Sequence, residues 1–159
     1  MAAAWVWGDH ASRRDLLEIL LAVLMALAIA QVVAHVWPQP RPFQLHLGTQ
    51  YLQHNDDPGL PSDHVTVFWS LGFAALLSRQ HAVWGFPLLA TGLAVGWCRV
   101  YLGVHFPYDI LAALPVALGS VALAHAARRP LFPVVDRIMY THDRLVSVLR
   151  KRFRPSRRS

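Results

Sequence analysis

The sequence predicts an all-α, polytopic membrane protein: a helix bundle with about four transmembrane helices and a C-terminal basic amphipathic helix. Of its 159 residues 55% are hydrophobic and only 15% are charged, and the mean hydropathy is positive. This balance is unusual for a soluble domain. Four apolar stretches recur along the chain, separated by short polar segments. The single cysteine, Cys98, excludes an intramolecular disulfide, and we interpret it as a packing residue.

The four apolar stretches cover residues 16–37, 65–77, 82–98 and 107–124. The first is long enough for the roughly 20 residues that a spanning helix needs. The second is shorter and by itself also fits a buried core helix, but a start near Ser62 makes it a plausible span. Only residues 78–81, with the short Arg79-Gln80-His81 link, separate the second and third stretches, so we expect an antiparallel pair. The four helices therefore run up, down, up, down.

Basic residues predict which ends of these helices face the cytoplasm. Arg13 and Arg14 precede the first stretch, and Arg79 follows the second. Lys151 and the arginines from Arg128 to Arg158 follow the fourth. Cytoplasmic loops carry an excess of basic residues, so we expect these ends inside. Only Arg41 and Arg99 fall on the opposite side. Both belong to the polar clusters described below, and an exception to the charge rule is itself a functional hint.

The two termini do not fit the pattern of spanning helices. Residues 1–7 are apolar but too few to span, and they lack the basic start of a signal peptide, so we interpret them as the end of a missing helix. We divide the chain into a transmembrane domain, 1–127, and a cytoplasmic segment, 128–159. In that segment apolar residues recur at helical spacing between arginines, and the last ten residues are expected to be disordered. Its positive charge favours anionic lipid headgroups over nucleic acid as a partner.

The first polar cluster, residues 37–43, places three prolines around Arg41. Prolines stop a helix and hold the following segment extended, so the Arg41 side chain projects from a fixed backbone. Its guanidinium group can donate to two phosphate oxygens at once. Taken alone, an arginine at this depth more often binds lipid headgroup phosphate.

The second cluster opens a predicted helix with Pro61, Ser62, Asp63 and His64. Ser62 is a favourable N-cap residue, and the first turn of a helix offers free backbone N–H groups that favour an anion. His64 in that turn is a candidate proton donor. The alternative is a capped helix with a surface histidine. We do not assign catalysis to the Asp63 side chain, since its charge repels a bound phosphate.

The third cluster contains Arg99, His105 and Asp109. Pro107 suits the first position of a helix, which places His105 just before the helix and Asp109 in its first turn. A carboxylate bonded to one imidazole nitrogen selects the tautomer whose other nitrogen is the nucleophile. A histidine and an aspartate four residues apart are common, however. Three such clusters at the same membrane face are what make a phosphate site the stronger interpretation.

Together these clusters resemble the type 2 phosphatidic acid phosphatase superfamily, whose pattern is K-x6-R-P, P-S-G-H and S-R-x5-H-x3-D. Arg41-Pro42 matches the end of the first motif, and residues 61–64 match the second with aspartate for glycine. Arg99, His105 and Asp109 match the third, with Cys98 for serine. The resemblance covers roughly residues 16–124. Within that superfamily the clusters look most like the bacitracin-resistance type of undecaprenyl pyrophosphate phosphatase.

The resemblance implies a metal-independent, cofactor-free hydrolysis of undecaprenyl pyrophosphate through a phosphohistidine. It makes His105 the nucleophile, Asp109 its orienting group and His64 the acid. It also implies that the phosphate is bound by five residues, namely Arg41, Pro61, Ser62, Asp63 and Arg99. The active site then faces the periplasm or cell exterior, in a bacterial inner membrane. Other lipid phosphates, namely phosphatidylglycerophosphate, phosphatidic acid and lipid A, remain alternatives.

Two departures from the family pattern favour a third alternative, a catalytically silent, truncated membrane protein. The family's lysine position, seven residues before Arg41, holds Ala34, and Gln31 or His35 nearby are partial substitutes at best. The chain also supplies four clear spans where the family usually has about six.

Overall fold

The computed structural model describes residues 10–152, and for residues 138, 142–143 and 145–152 it describes the backbone alone. The predictions for residues 1–7 and for the last seven residues lie outside this range. Within it the chain forms four α-helices and no strand, which confirms the all-α class. They are α1 (His10–Val36), α2 (Asp63–Leu77), α3 (Gly85–Tyr101) and α4 (Pro107–Arg152). Short 3₁₀ turns cover Pro42–Leu45 and Ala82–Trp84. The chain divides into two compact units, Met1–Ala126 and Ala127–Ser159.

Three of these helical segments are long and apolar enough to cross a membrane. They are His10–Val36, Ala82–Tyr101 and Pro107–Thr141. The fourth, α2, is equally apolar but has only 15 residues. Together they identify the chain as a multi-pass membrane protein.

Within the described residues helix α1 extends from His10, six residues before the apolar stretch from which it was predicted. Its polar first turns contact the connection between α2 and α3. The Ser78 hydroxyl donates to Asp15 Oδ2 over 2.7 Å, and Ser12 Oγ lies 3.3 Å from His81 Nε2. These contacts are long-range, so the apolar pattern alone did not predict that the helix includes these polar residues.

Both the predicted fourth span and the predicted C-terminal amphipathic segment are helical. The structure has one helix, α4, which begins at Pro107 as predicted but continues to Arg152. The residues from Ala126 to Arg129 are alanines and arginines, which are among the best helix formers, whereas Pro130 and Pro133 that follow each remove a backbone hydrogen-bond donor from the helix.

Small residues form most of the contact surfaces between the helices of the first unit. One core cluster joins α1, α2 and α4 through Ile19, Ala22, Ala74, Ala75, Val121 and Ala124. In α3 the buried residues are all glycines, Gly85, Gly92 and Gly96. Helices in lipid associate by close van der Waals packing rather than by the hydrophobic effect, and small residues permit that approach.

The three polar clusters meet at one end of the bundle. Ser62 N–H, at the start of α2, donates to the Asp109 carbonyl in the first turn of α4 over 3.1 Å. Tyr51 N–H, in the connection between α1 and α2, donates to the Leu102 carbonyl at the end of α3 over 3.2 Å. The end of α3 and the starts of α2 and α4 are therefore adjacent, in agreement with the predicted up-down order.

Candidate active site

Arg41 is buried, and a set of carbonyl and carboxylate oxygens fixes its guanidinium group. The residue has the predicted extended backbone, with φ −80° and ψ 160°. Its Nε donates to the Asp57 carbonyl over 3.0 Å and to Asp57 Oδ1 over 3.1 Å. One terminal nitrogen donates to the Val104 carbonyl over 2.9 Å and the other to the Pro58 carbonyl over 3.2 Å. Only 5% of its surface is exposed, so this arginine is too buried to bind the headgroups of the surrounding lipid.

His105 and Asp109 form the pair that their spacing predicts. His105 Nδ1 lies 3.2 Å from Asp109 Oδ2, which also accepts the Phe106 N–H over 2.8 Å. His105 Nε2 lies 3.1 Å from a terminal nitrogen of Arg41. Because an arginine can only donate, Nε2 is the accepting nitrogen, and Nδ1 carries the proton that is donated to Asp109. The imidazole is thus held neutral, with its Nε2 lone pair on the side of Arg41.

Burial lowers the pKa of His105 from its ordinary value. The hydrogen bond to Asp109 opposes this effect, while the charges of Arg41 and Arg99 lower the pKa further. The net lowering of the pKa favours the unprotonated imidazole, as a nucleophile requires.

The start of α2 contributes Pro61, Asp63 and His64 to the site, while Ser62 lies behind it. Ser62 occupies the predicted N-cap position, but its hydroxyl makes no capping hydrogen bond, so that part of the prediction was wrong. The residue is fully buried, and its N–H bonds Asp109 instead. The Asp63 carboxylate accepts a hydrogen bond from Gln31 of α1 over 3.3 Å.

A second histidine-aspartate pair, which the sequence motifs did not identify, lies beside Arg99. His54 Nε2 is 3.0 Å from a terminal nitrogen of Arg99, and His54 Nδ1 is 3.3 Å from Asp57 Oδ1. Arg99 Nε has no hydrogen-bond partner among the described residues. Both residues of the new pair come from the connection between α1 and α2.

A cavity of about 230 Å³ brings these groups together. Six of the eight predicted site residues line it, and Ser62 and Asp109 do not. The remaining lining comes from residues outside the predicted set. The full lining is Gln31, Ala34, Arg41, His54, Asp57, Pro58, Pro61, Asp63, His64, Arg99 and His105.

The lysine position of the family pattern, Ala34, also faces this cavity. Of the two suggested substitutes, Gln31 lines the cavity and carries no charge, whereas His35 is exposed and is not part of the lining. The cavity therefore combines two arginines and two non-nucleophilic histidines around one oriented imidazole. This set can hold a phosphoryl group, attack it and protonate a leaving oxygen.

Gly59 provides a test of how closely this geometry must be kept. A Cβ at Gly59 would lie 3.1 Å from Arg41 Cγ and 3.3 Å from Asp109 Oδ2. We expect Gly59→Ala to displace both side chains by a few tenths of an ångström and to lower the rate of phosphate release about tenfold or more. Gly119→Ala is the matched control, because nothing lies within 4 Å of a Cβ there. Equal rates for the two variants would contradict the prediction.

Residues 15–132 match the family profile described as the PAP2 superfamily. The matched region includes every predicted site residue, from Arg41 to Asp109.

Among curated proteins, the chain is similar to relatives from two bacteria and an archaeon. It is 37% identical to YbjG of Escherichia coli (strain K12) over 69% of this chain and 55% of that protein. It is 30% identical to undecaprenyl-diphosphatase BcrC of Bacillus subtilis (strain 168) over 96% of this chain and 78% of that protein. It is 28% identical to an undecaprenyl-diphosphatase of Sulfolobus acidocaldarius over 64% of this chain and 49% of that protein. No solved structure matches the chain.

Proposed function

Because this chain belongs to the PAP2 superfamily, we propose that it is an integral membrane phosphatase that removes the terminal phosphate of undecaprenyl diphosphate. The relatives named as undecaprenyl-diphosphatases support that substrate. The observation that carries the proposal is His105, which lines the cavity with its Nε2 next to the buried Arg41 while Asp109 holds the opposite nitrogen. This is the arrangement of an oriented nucleophile beside a phosphate site.

In the first step, the Nε2 lone pair of His105 forms a bond to the terminal phosphorus. The bond from that phosphorus to the bridging oxygen breaks, and protonated His64 donates its proton to that oxygen. Undecaprenyl phosphate then leaves. In the second step, water attacks the phosphohistidine, His64 accepts a proton from this water, and inorganic phosphate departs with the imidazole restored. Asp109 stabilises the positive charge that His105 carries in the intermediate.

Arg41 and Arg99 stabilise the charge on the transferring phosphoryl oxygens, together with backbone N–H groups in the first turn of α2. Their position is fixed by the protein, so little reorganisation is needed as the charge develops. In kinases Mg²⁺ supplies much of this charge. Two arginines in one cavity support a reaction that needs no metal ion.

The site lies at the end of the bundle that the basic residues assign to the non-cytoplasmic side. We propose a location in the bacterial inner membrane, with the cavity facing the periplasm or cell exterior and the isoprenoid tail along apolar helix faces. The product is the lipid carrier used in cell-wall synthesis.

The direct test is phosphate release from undecaprenyl diphosphate by the detergent-purified protein in the presence of EDTA. We expect release to continue undiminished, since the charge on the phosphoryl group is balanced by arginines. Phosphatidic acid and phosphatidylglycerophosphate, assayed in parallel, distinguish the substrate classes. Faster release from either would reassign the substrate, and loss of release on chelation would reject the metal-independent mechanism. Release from none of them would favour the catalytically silent alternative.

A further inference from the structure

We propose that His54 is a third phosphate-binding residue, which supplies the positive charge that Ala34 lacks. This inference rests on the proposed function and concerns the same cavity. His54 and Ala34 both line that cavity, together with the two arginines.

The position of His54 is fixed on both sides of its ring. Nδ1 faces two acceptors, Asp57 Oδ1 at 3.3 Å and the Asn55 carbonyl at 3.2 Å, so it donates. Nε2 faces an arginine nitrogen at 3.0 Å, so it accepts. The side chain is only 19% exposed, although it comes from a connection between helices.

Asp57 links this histidine to the catalytic one. Its Oδ1 accepts from His54 Nδ1 and also from Arg41 Nε over 3.1 Å. Arg41 in turn contacts His105 Nε2. One carboxylate thus orients both His54 and the arginine next to the nucleophile, as expected of a group that belongs to the phosphate site.

The contact between His54 and Arg99 can be replaced by a phosphate oxygen. An arginine that donates to the phosphate releases Nε2 of His54. A protonated imidazole at this position donates from both nitrogens, one to the phosphate and one to Asp57. Asp57 balances the resulting charge. A phosphate held this way receives a third cation, in addition to Arg41 and Arg99.

The other groups near Ala34 cannot supply this charge. Gln31 is uncharged and donates to Asp63. His35 is exposed and does not line the cavity. Among the described lining residues, His54 is thus the remaining candidate without an assigned role that can become a cation.

The experiment compares the wild-type protein with His54→Gln, Ala34→Lys and the double variant, with His35→Gln as matched control. Glutamine retains an acceptor for Arg99 but cannot become charged. Two readouts are used: kcat/KM for phosphate release from undecaprenyl diphosphate, and the rise in melting temperature caused by orthovanadate, a phosphate analogue. We expect His54→Gln to lower kcat/KM about tenfold and to diminish the vanadate shift. Adding Ala34→Lys should restore both, and His35→Gln should change neither.

Two results would overturn the inference. Equal vanadate shifts in the wild type and His54→Gln, including no shift in either, would show that His54 binds no phosphate. A loss that Ala34→Lys does not restore would show that His54 only positions Arg99. A wild-type protein that releases no phosphate but is stabilised by vanadate would contradict the proposed substrate, and the vanadate comparison would still decide the role of His54.

Discussion

Replacing His105 with alanine should lower phosphate release by more than about 10⁴-fold, because the variant lacks the atom that forms the bond to phosphorus. The melting temperature should change little, since Arg41 keeps its bonds to Asp57, Pro58 and Val104. Single-turnover assays with labelled substrate should also show no phosphoprotein. The measurement is phosphate release under saturating substrate, beside an acid-stability test of any labelled protein.

The matched control is His125→Ala, which removes another histidine that is bonded to a carboxylate. His125 Nδ1 lies 2.7 Å from Glu18 Oε1, and neither residue lines the cavity. We expect this variant to retain most of the activity. Comparable losses in the two variants would indicate that any broken histidine-carboxylate pair disables the fold, and the assignment of the nucleophile would then fail.

Asp109→Asn should lower kcat by about 100-fold or more while leaving the fold intact. The amide oxygen can take the place of Oδ2, where it still accepts from Phe106 N–H and His105 Nδ1. The tautomer is therefore kept, and what is lost is the negative charge that stabilises the positively charged intermediate. The amide nitrogen then occupies the buried Oδ1 position, which has no partner among the described residues.

The pH profile distinguishes this role from a purely structural one. The negative charge of Asp109 raises the pKa of His105, so removing that charge in Asp109→Asn lowers it. The acid limb of kcat/KM, which reports the free enzyme, should accordingly move to lower pH in Asp109→Asn. If the rate falls but the acid limb of the pH profile stays at the same pH, the carboxylate has only a structural role. Unchanged turnover would remove Asp109 from the mechanism.

The parts of the site that the sequence predicted correctly are local in the chain. Pro107 at the first helical position and the four-residue spacing of His105 and Asp109 determine the geometry of a single turn. A turn of helix has nearly the same dimensions in every protein, so this pair follows from its spacing once the helix start is known.

The parts that it did not predict depend on distant contacts. His54 lies in a polar connection without periodicity, and its partner Arg99 is 45 residues away in the sequence. Ser62 was predicted as a capping side chain, but a backbone bond to Asp109 places it behind the cavity. For the pair of His54 and Asp57, the sequence offered one indication only, which is that a histidine and an aspartate lie three residues apart shortly before Pro61.

The shortness of α2 determines the depth of the chemistry relative to the lipid. Fifteen residues at about 1.5 Å each give a rod of roughly 22 Å, against about 30 Å of hydrocarbon. In the proposed orientation Arg79, which follows this helix, lies at the cytoplasmic boundary, and the other end of α2, with His64, then lies several ångströms inside the opposite boundary of the hydrocarbon. With the proposed substrate, the diphosphate head would meet the nucleophile below the level of the glycerol backbones, so the isoprenoid chain would remain within the hydrocarbon throughout the reaction.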